Sequence, residues 1–305
     1  MNTSPPPTLR ILSLGAGVQS TALLLLACED VIPPFHAAIF ADTGWEPKAV
    51  YEHLDRLADY AARHGIPVHR VSGGNIRNDA LDPAHRFASM PLFVRNPDGS
   101  DGMARRQCTS EYKLKPIKQK TRELLGYVHP TPVPKGVYVE TAIGISLDEI
   151  GRARDSDVRY MRNVFPLLDL KWTRRDCERY LRKRGWSAEK SACIGCPFHG
   201  NRQWRQLRDE SPAEWADAVA FDAAIRNGSA RANPQGQDLR GSMYLHRARV
   251  PLDEAPIDKV SRSEWLEDNQ PSLDDFYHGE DLERAEQGDP DGCSPWTCRS
   301  GEAVA

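Results

Sequence analysis

The stretch Ile11-Leu12-Ser13-Leu14-Gly15-Ala16-Gly17-Val18-Gln19-Ser20-Thr21 decides the fold of this chain. A short apolar run stops at a turn of small residues, and two hydroxyl residues then open the apolar segment 22–27. This order predicts a strand, a loop and the N-terminus of a helix. The first N–H groups of a helix lack intrahelical partners, and the helix dipole adds positive potential there. The loop is therefore predicted to bind a phosphate or pyrophosphate group.

The loop is neither of the two common glycine-rich loops. A Walker loop ends in Gly-Lys-Ser/Thr, and no lysine precedes Ser20. The dinucleotide-binding fingerprint needs a third glycine three positions after Gly17, where Ser20 stands. The spacing resembles the Ser-Gly-Gly-x-Asp-Ser loop of the PP-loop ATP pyrophosphatases, which include sulfonucleotide (PAPS) reductases and tRNA thiolation enzymes. Gly15 and Gln19 replace the first Ser and the Asp of that pattern.

Two further motifs extend the resemblance, in the order of the PAPS reductase-like branch. Residues 37–47 read as a second buried strand that ends in Asp42-Thr43-Gly44 and enters a helix at Pro47, a favoured first helical position. Members of that branch carry a similar Asp-Thr-Gly before a helix. Residues 105–117, which contain Cys108, resemble the family's Cys-Thr/Ser-x-x-x-Lys-x-x-Pro-Ile/Leu segment. The three motifs cover about residues 9–200.

Strands and helices alternate along the chain, which predicts an α/β, Rossmann-like, mostly parallel sheet flanked by helices. The resemblance implies the adenine nucleotide alpha hydrolase-like version of this fold. Further strands are predicted at 68–71 and 137–145, with a short extended segment at 164–168. Helices are predicted at 48–64, 109–125, 174–184 (capped by Thr173) and 211–227. Residues 73–106 lack clear periodicity and predict a mobile loop over a site.

Four regions follow from these patterns. Residues 1–8 are predicted to be disordered, and 9–170 to form the PP-loop nucleotide-binding domain. Residues 171–260 form a small helical region with a Cys-x-x-Cys motif, and 261–305 an irregular acidic tail.

Composition indicates an ordinary soluble protein, with 40% hydrophobic and 27% charged residues. The net charge of −3 argues against a generally basic nucleic-acid binder. The N-terminal residues lack the apolar core of a signal peptide, and the apolar run 22–27 is too short to span a bilayer. We therefore expect a cytoplasmic protein with no membrane partner. Basic residues cluster at 105–120 and 174–184, either as solvated helix faces or as a rim around an anionic substrate.

The seven cysteines favour metal or redox chemistry in a cytosolic chain over structural disulfides. Cys193-Ile194-Gly195-Cys196 has a glycine inside the bend, which is expected to turn both thiols toward one point. Such a pair suits Zn²⁺, an iron–sulfur cluster or a redox disulfide, and a closed metal site needs two further ligands. Cys28 and Cys177 lie on predicted helices and are interpreted as buried small hydrophobes.

The resemblance gives these cysteines a role. In related PP-loop enzymes a Cys before the Lys-x-x-Pro segment lies near the active site and pairs with a later Cys-x-x-Cys. This implies a 4Fe–4S cluster on Cys108, Cys193 and Cys196, with either an open iron that can bind sulfide or a fourth cysteine. Cys298 is the predicted fourth ligand, and Cys293 and Cys177 are alternatives. Other readings are a zinc site that includes His199 and a redox thiol pair, and Cys108 is either a ligand or a persulfide-carrying nucleophile.

The resemblance also implies a reaction. ATP would adenylate a carbonyl oxygen of a nucleotide, nucleobase or nucleic-acid base, pyrophosphate would leave with the help of Mg²⁺, and sulfur would replace oxygen. The catalytic candidates are Cys108, Ser20 and Asp42, although Asp42 also suits an Asx turn. Residues 143–149 with Arg152 read as a nucleotide- or substrate-contacting turn, or as a strand end, cap and exposed charge. The predicted nucleotide contacts are Ser13, Gly15, Ala16, Gly17, Gln19, Ser20, Thr21, Asp42, Thr43, Gly144 and Ser146.

Three other functions compete with this one. A sulfonucleotide reductase uses a C-terminal Cys in a Glu-Cys-Gly-Leu-His segment, which residues 293–299 match poorly. A DNA phosphorothioation subunit belongs to the same superfamily, and a zinc-stabilised, non-catalytic nucleotide-binding protein is a different class. The acidic net charge favours a small nucleotide or nucleobase as substrate over tRNA or DNA. The expected sulfur donor is sulfide or a persulfide carrier. Trp172, Trp186, Trp204 and Trp215 are read as packing residues, one of which could stack on a base.

Overall fold

A computed structural model of the chain describes residues 6–85, 90–188, 191–228, 241–262, 264 and 265. The strands are β1 Leu9–Leu14, β2 Ala37–Asp42, β3 Val68–Ser72, β4 Phe93–Arg95, β5 Asp101–Met103, β6 Val139–Ile143, β7 Met161–Val164 and β8 Ser242–Tyr244. Five of them form a parallel sheet in the order β3-β2-β1-β6-β7. The predicted α/β fold with a mostly parallel sheet is therefore confirmed.

Helices cover both faces of this sheet. The α-helices of the described residues are α1 Val18–Cys28, α2 Lys48–Arg63, α3 Ile76–Leu81, α4 Lys115–Leu124, α5 Pro166–Asp169, α6 Arg174–Arg182, α7 Asn201–Glu210 and α8 Pro212–Ile225. Helices α1, α2 and α6 share a core with Leu12 and Leu14 of β1. Ile11 of the same strand packs on the other face with Ile117 of α4. Burial on both faces explains why the central strands read as continuous apolar runs.

The order of the strands defines where a ligand can bind. The chain builds β1, β2 and β3 in one direction and then crosses back to place β6 on the other side of β1. Ligands in such open sheets bind outside the carboxyl ends of the strands, at the point where the order reverses. The loop after β1 and the turn after β6 therefore face each other across that point.

Two predictions about irregular segments are wrong. Residues 73–106 were expected to form a mobile loop, but their described part contains α3, β4 and β5. Strand β4 pairs antiparallel with both β5 and β8, which makes a second, three-stranded sheet. The expected extended segment 164–168 is mostly helical, since β7 ends at Val164 and α5 begins at Pro166. Strands of three residues are too short to show a period-two pattern.

The predicted helix at 174–184 is confirmed by α6 and its capping box. Thr173 N–H donates to Asp176 Oδ2 at 2.9 Å, and Asp176 N–H donates back to Thr173 Oγ1 at 3.3 Å. The division into regions stays a prediction. Residues 1–5 and nearly all of the tail 261–305, with Cys293 and Cys298, lie outside the described residues. Within the described part, no helix has both the length and the apolar character that crossing a membrane requires.

Candidate functional site

The loop after β1 keeps its shape through Ser20. Its Oγ accepts the N–H of Gly15 at 3.2 Å and donates to the carbonyl oxygen of Gly17 at 3.2 Å. Helix α1 then begins after Gly17 without a side-chain cap and without an acidic residue in its first turn. Because no carboxylate of α1 itself opposes the positive end of the helix, this end suits an anion.

The turn after β6 closes on this loop. A side chain at Gly144 would place its Cβ 2.8 Å from the backbone nitrogen of Ser20, so only glycine permits the approach. Gln19 Nε2 lies 3.4 Å from Ser146 Oγ and 3.3 Å from Glu149 Oε2, and all three residues are buried. Arg152 forms a close ion pair with Glu149 Oε1. The structure therefore brings Gln19, Gly144 and Ser146 together at the reversal point of the sheet.

Thr21 and Ser13, two other predicted nucleotide contacts, are buried. Thr21 is fully buried, and its Oγ1 lies 3.0 Å from Nε2 of His53 on α2. Burial is the main cause that lowers the pKa of His53 to about 4, with the charge of Arg56 adding to it, so the ring is neutral near pH 7. Thr21 thus joins two helices in the core, and Ser13 is buried within β1.

Asp42 forms the Asx turn that was its alternative role. Its Oδ1 accepts the N–H of Gly44 at 2.7 Å and the hydroxyl of Tyr51 at 2.8 Å. Gly44 has a φ of 73°, which favours glycine. The carboxylate therefore fixes the path of the chain from β2 toward Thr43, Trp45 and Glu46.

Cys108, Cys193 and Cys196 line one pocket, as the motif order predicts. The sulfur of Cys193 lies 3.2 Å from Thr43 Oγ1 and 3.5 Å from Glu46 Oε1. Thr43 Oγ1 in turn donates to Glu46 Oε1 at 2.9 Å. The full lining consists of Thr43, Ile76, Met90, Pro91, Arg106, Cys108, Thr109, Lys113, Cys193, Gly195, Cys196, Pro197 and Phe198. Through the turn after β2 the pocket therefore touches the carboxyl edge of the parallel sheet, which is the predicted nucleotide edge.

A π-helical turn shapes the Cys108 side of the pocket. It runs Thr109–Leu114 directly before α4, and such turns often mark functional sites. Lys113 on this turn is buried, and the guanidinium of Arg106 lies 4.8 Å from the ring centroid of Phe198. These two cations bring positive charge to a pocket whose walls are otherwise largely apolar, which suits an anionic ligand or thiolate sulfur.

Cys108, Cys193 and Cys196 give the pocket three thiols, the ligand type that iron–sulfur clusters take. Among the described residues, no group of three or more His, Cys, Asp or Glu is arranged to hold a metal ion. Nε2 of His199, the expected zinc ligand, lies 2.9 Å from the carbonyl oxygen of Cys193. The buried Oγ1 of Thr109, which has no hydrogen-bond partner within the described ranges, is a group that a ligand in the pocket could satisfy.

The remaining cysteines divide into two groups. Cys28 and Cys177 lie in the core beside α1 and α6. Burial raises the pKa of the Cys28 thiol to about 11 and that of Cys177 further, so both stay protonated. A fourth ligand from Cys293 or Cys298 stays a prediction, because both lie outside the described residues.

At least six of the twelve clustered basic residues belong to ion pairs near the surface. Lys118 pairs with Asp157 at 2.7 Å, and Arg174 pairs with Glu178 at 3.1 Å. The solvated-face reading therefore holds for these residues, whereas Arg106 and Lys113 line the pocket. Trp186 and Trp204 are buried packing residues, as the first reading of the tryptophans proposed.

Sequence reasoning missed Trp45 and Glu46. Both follow the Asp-Thr-Gly motif and are buried against the cysteine side of the molecule. A large aromatic residue next to a glutamate inside a short turn was the available signal, since such a turn is usually small and polar.

Comparisons with known proteins give a fold likeness only. No protein-family model matches the chain, and no curated protein matches it. Fourteen chains of solved structures match, among them the U34-tRNA thiolase NcsA from Methanococcus maripaludis with its [4Fe-4S] cluster. That protein is 13% identical, with a TM-score of 0.38 over 77% of this chain and 78% of the other. Similarity at this level carries no functional assignment.

Proposed function

We propose that the chain is an ATP-dependent sulfur transferase of the PP-loop type. It adenylates a carbonyl oxygen of a nucleotide, nucleobase or nucleic-acid base, releases pyrophosphate and replaces the oxygen with sulfur. The observation that carries the proposal is the contact between Cys193 Sγ and Thr43 Oγ1 at 3.2 Å. This contact joins a pocket with three thiols to the turn after β2, at the same edge of the sheet as the loop after β1.

The residues at the sheet edge support the first half-reaction. A carbonyl oxygen is a poor leaving group, whereas AMP is a good one. The N–H groups at the start of α1 would stabilise charge that grows on the departing pyrophosphate, and Mg²⁺ would share that charge when bound. Ser20 acts by holding the loop, through its bonds to Gly15 and Gly17.

The pocket residues support the second half-reaction. In a persulfide route, the terminal sulfur on Cys108 attacks the adenylated carbon and AMP leaves with the bonding electrons. A thiolate of Cys193 or Cys196 then attacks the Cys108 sulfur, which releases the C=S product and leaves a disulfide. The site is reset in one of two ways. Sulfide attacks the Cys108 sulfur of the disulfide, which restores the Cys108 persulfide and releases the other cysteine as thiolate. Alternatively, an external thiol reduces the disulfide with two electrons, and a persulfide carrier then transfers its outer sulfur to the Cys108 thiolate. A cluster on the three cysteines would instead supply an iron that can hold sulfide.

The test uses anaerobically purified protein, ATP, Mg²⁺ and sulfide. Free nucleobases, nucleotides, tRNA and DNA are offered separately, and pyrophosphate and product mass are measured. We expect acceptor-dependent pyrophosphate release and a product in which sulfur has replaced oxygen. Reduction of a sulfonucleotide to sulfite, or nucleotide binding without any turnover, would overturn the proposal in favour of one of its competitors.

A further inference from the structure

Gly195 lies where a side chain has no room. An added Cβ would stand 2.1 Å from Cη2 of Trp45, well inside van der Waals contact. The φ of Gly195 lies outside the left-handed region, so the backbone conformation itself does not demand glycine. Lack of space, rather than a backbone conformation that only glycine adopts, is therefore the reason for glycine at this position. The indole of Trp45 occupies the space that a side chain at this position would need.

The indole cannot easily move away. Trp45 is 5% exposed, and its ring centroid lies 4.7 Å from that of Phe221 on α8. Its Nε1–H donates to Asp217 Oδ2 at 2.7 Å. Arg77 of α3 binds both oxygens of the same carboxylate, at 2.7 and 3.0 Å, and so orients it. Two helices therefore hold the ring in place.

Trp45 also holds the cysteine turn through its backbone. Its carbonyl oxygen accepts the N–H of Ile194 at 2.8 Å. The Cys-x-x-Cys segment bends tightly, with Cys196 N–H donating to the Cys193 carbonyl at 3.0 Å. Three successive residues of the cysteine turn therefore contact residues 43–45. Cys193 contacts Thr43, Ile194 binds the Trp45 carbonyl, and Gly195 packs against the Trp45 ring.

We propose that Trp45 is a positioning residue of the cysteine pocket. Its indole fills the notch at Gly195, and this fit sets where Cys193 and Cys196 stand relative to the nucleotide edge. The role matters to catalysis because the pocket is the sulfur site, and to that extent it rests on the proposed function. The fit itself is a property of the protein without substrate and is measured without turnover.

The test is the rate at which iodoacetamide alkylates each cysteine of the full-length, reduced, chelator-treated protein, followed by mass spectrometry. In Gly195→Ala the cysteine turn must leave the indole, which exposes the buried Cys193. We expect its alkylation to accelerate about tenfold. Cys177 is fully buried in the core shared by α1, α2 and α6, so it should stay protected as long as the fold is intact. Gly151→Ala is the matched control, because its Cβ meets nothing within 4 Å.

The compensating change is Trp45→Phe, whose shorter ring leaves room for the new methyl group. We expect Trp45→Phe/Gly195→Ala to bring the Cys193 rate back to within about threefold of the wild-type rate. If Gly195→Ala does not fold, the double variant should restore folding. An unchanged Cys193 rate in Gly195→Ala, or a double variant as reactive or as unfolded as the single one, would overturn the positioning role. Absence of sulfur transfer in the wild type would remove the proposed function but leave this pattern of rates unaltered.

Discussion

The nucleotide edge and the cysteine pocket meet at the turn 42–46, but different forces build them. Backbone geometry forms the edge: parallel strands end together, and Gly144 lets two loops approach closely. Side-chain packing forms the pocket, where Trp45 holds the Cys-x-x-Cys turn from about 150 residues away in sequence. Substitutions in one region should therefore damage one half of the proposed reaction and leave the other half largely intact.

Cys108→Ala should separate the halves most strongly. Without the Cys108 thiol, the rate of sulfur transfer to the acceptor should fall at least about a hundredfold, because the nucleophile or cluster ligand is gone. Pyrophosphate release should stay within about threefold, since Cys108 lies on the pocket side. Cys28→Ala is the control, because its thiol is buried with a pKa of about 11. An equal fall in both half-reactions would show that the halves are not separable.

Gly144→Ala should damage the other half. The new Cβ would stand 2.8 Å from the Ser20 nitrogen and push the turn after β6 away from the loop. We expect kcat/KM for pyrophosphate release to fall about thirtyfold, the cost of moderate overpacking. Cys193 alkylation should not change. Normal pyrophosphate kinetics in this variant would contradict the placement of the nucleotide at the reversal point of the sheet.

Lys113→Gln and Lys118→Gln form a matched pair that tests the basic cluster. Lys113 is buried and lines the pocket, whereas Lys118 pairs with Asp157 at the surface. Loss of a charge-assisted contact at Lys113 should lower kcat/KM for sulfur transfer about tenfold. Lys118→Gln should stay within about twofold, because surface pairs contribute little. A larger effect at Lys118 would restore the reading of this cluster as a substrate rim.

His246 makes the cysteine side sensitive to acid. Its Nε2 lies 3.0 Å from Asn201 Oδ1, at the start of the helix that follows the Cys-x-x-Cys turn. Burial, with the charge of Arg247 adding to it, lowers the pKa of His246 to about 4. The unfolded chain binds the proton near pH 6.5, so this contribution to stability is fully present above that pH and is lost as the pH falls toward 4.

His246→Gln should therefore reduce the loss of unfolding free energy between pH 7 and pH 6 by roughly 0.5 to 1 kcal/mol. Urea denaturation at a series of pH values measures this difference. His53, whose pKa in the folded protein is also lowered to about 4, still takes up a proton on unfolding in the variant. Part of the pH dependence of stability therefore remains. An identical slope in both proteins would show that His246 does not titrate with unfolding.

The sequence predicts the nucleotide edge better than the cysteine pocket, because local patterns build the edge and contacts between distant residues build the pocket. The apolar strands, the loop Gly15–Gly17 and the capping box at Thr173 are local patterns, and the structure contains all of them. The meeting of Cys108 with the Cys-x-x-Cys motif was predicted through a family resemblance rather than from spacing.

What the sequence could not predict depends on contacts between distant residues. Strands β4 and β8 are three residues each and pair across about 150 residues. The fit of Trp45 to Gly195 exists only once both turns are packed, so no periodicity or motif announces it.

We propose that the three-cysteine pocket carries out sulfur chemistry beside the predicted nucleotide edge. Iron, acid-labile sulfide and absorbance at about 400 nm are measured in anaerobically purified wild-type protein and compared with Cys193→Ala and Cys28→Ala. We predict about four iron and four sulfide per chain in the wild type and in Cys28→Ala, with both lost in Cys193→Ala. Zinc alone, or iron that persists without Cys193, would contradict the assignment of the pocket.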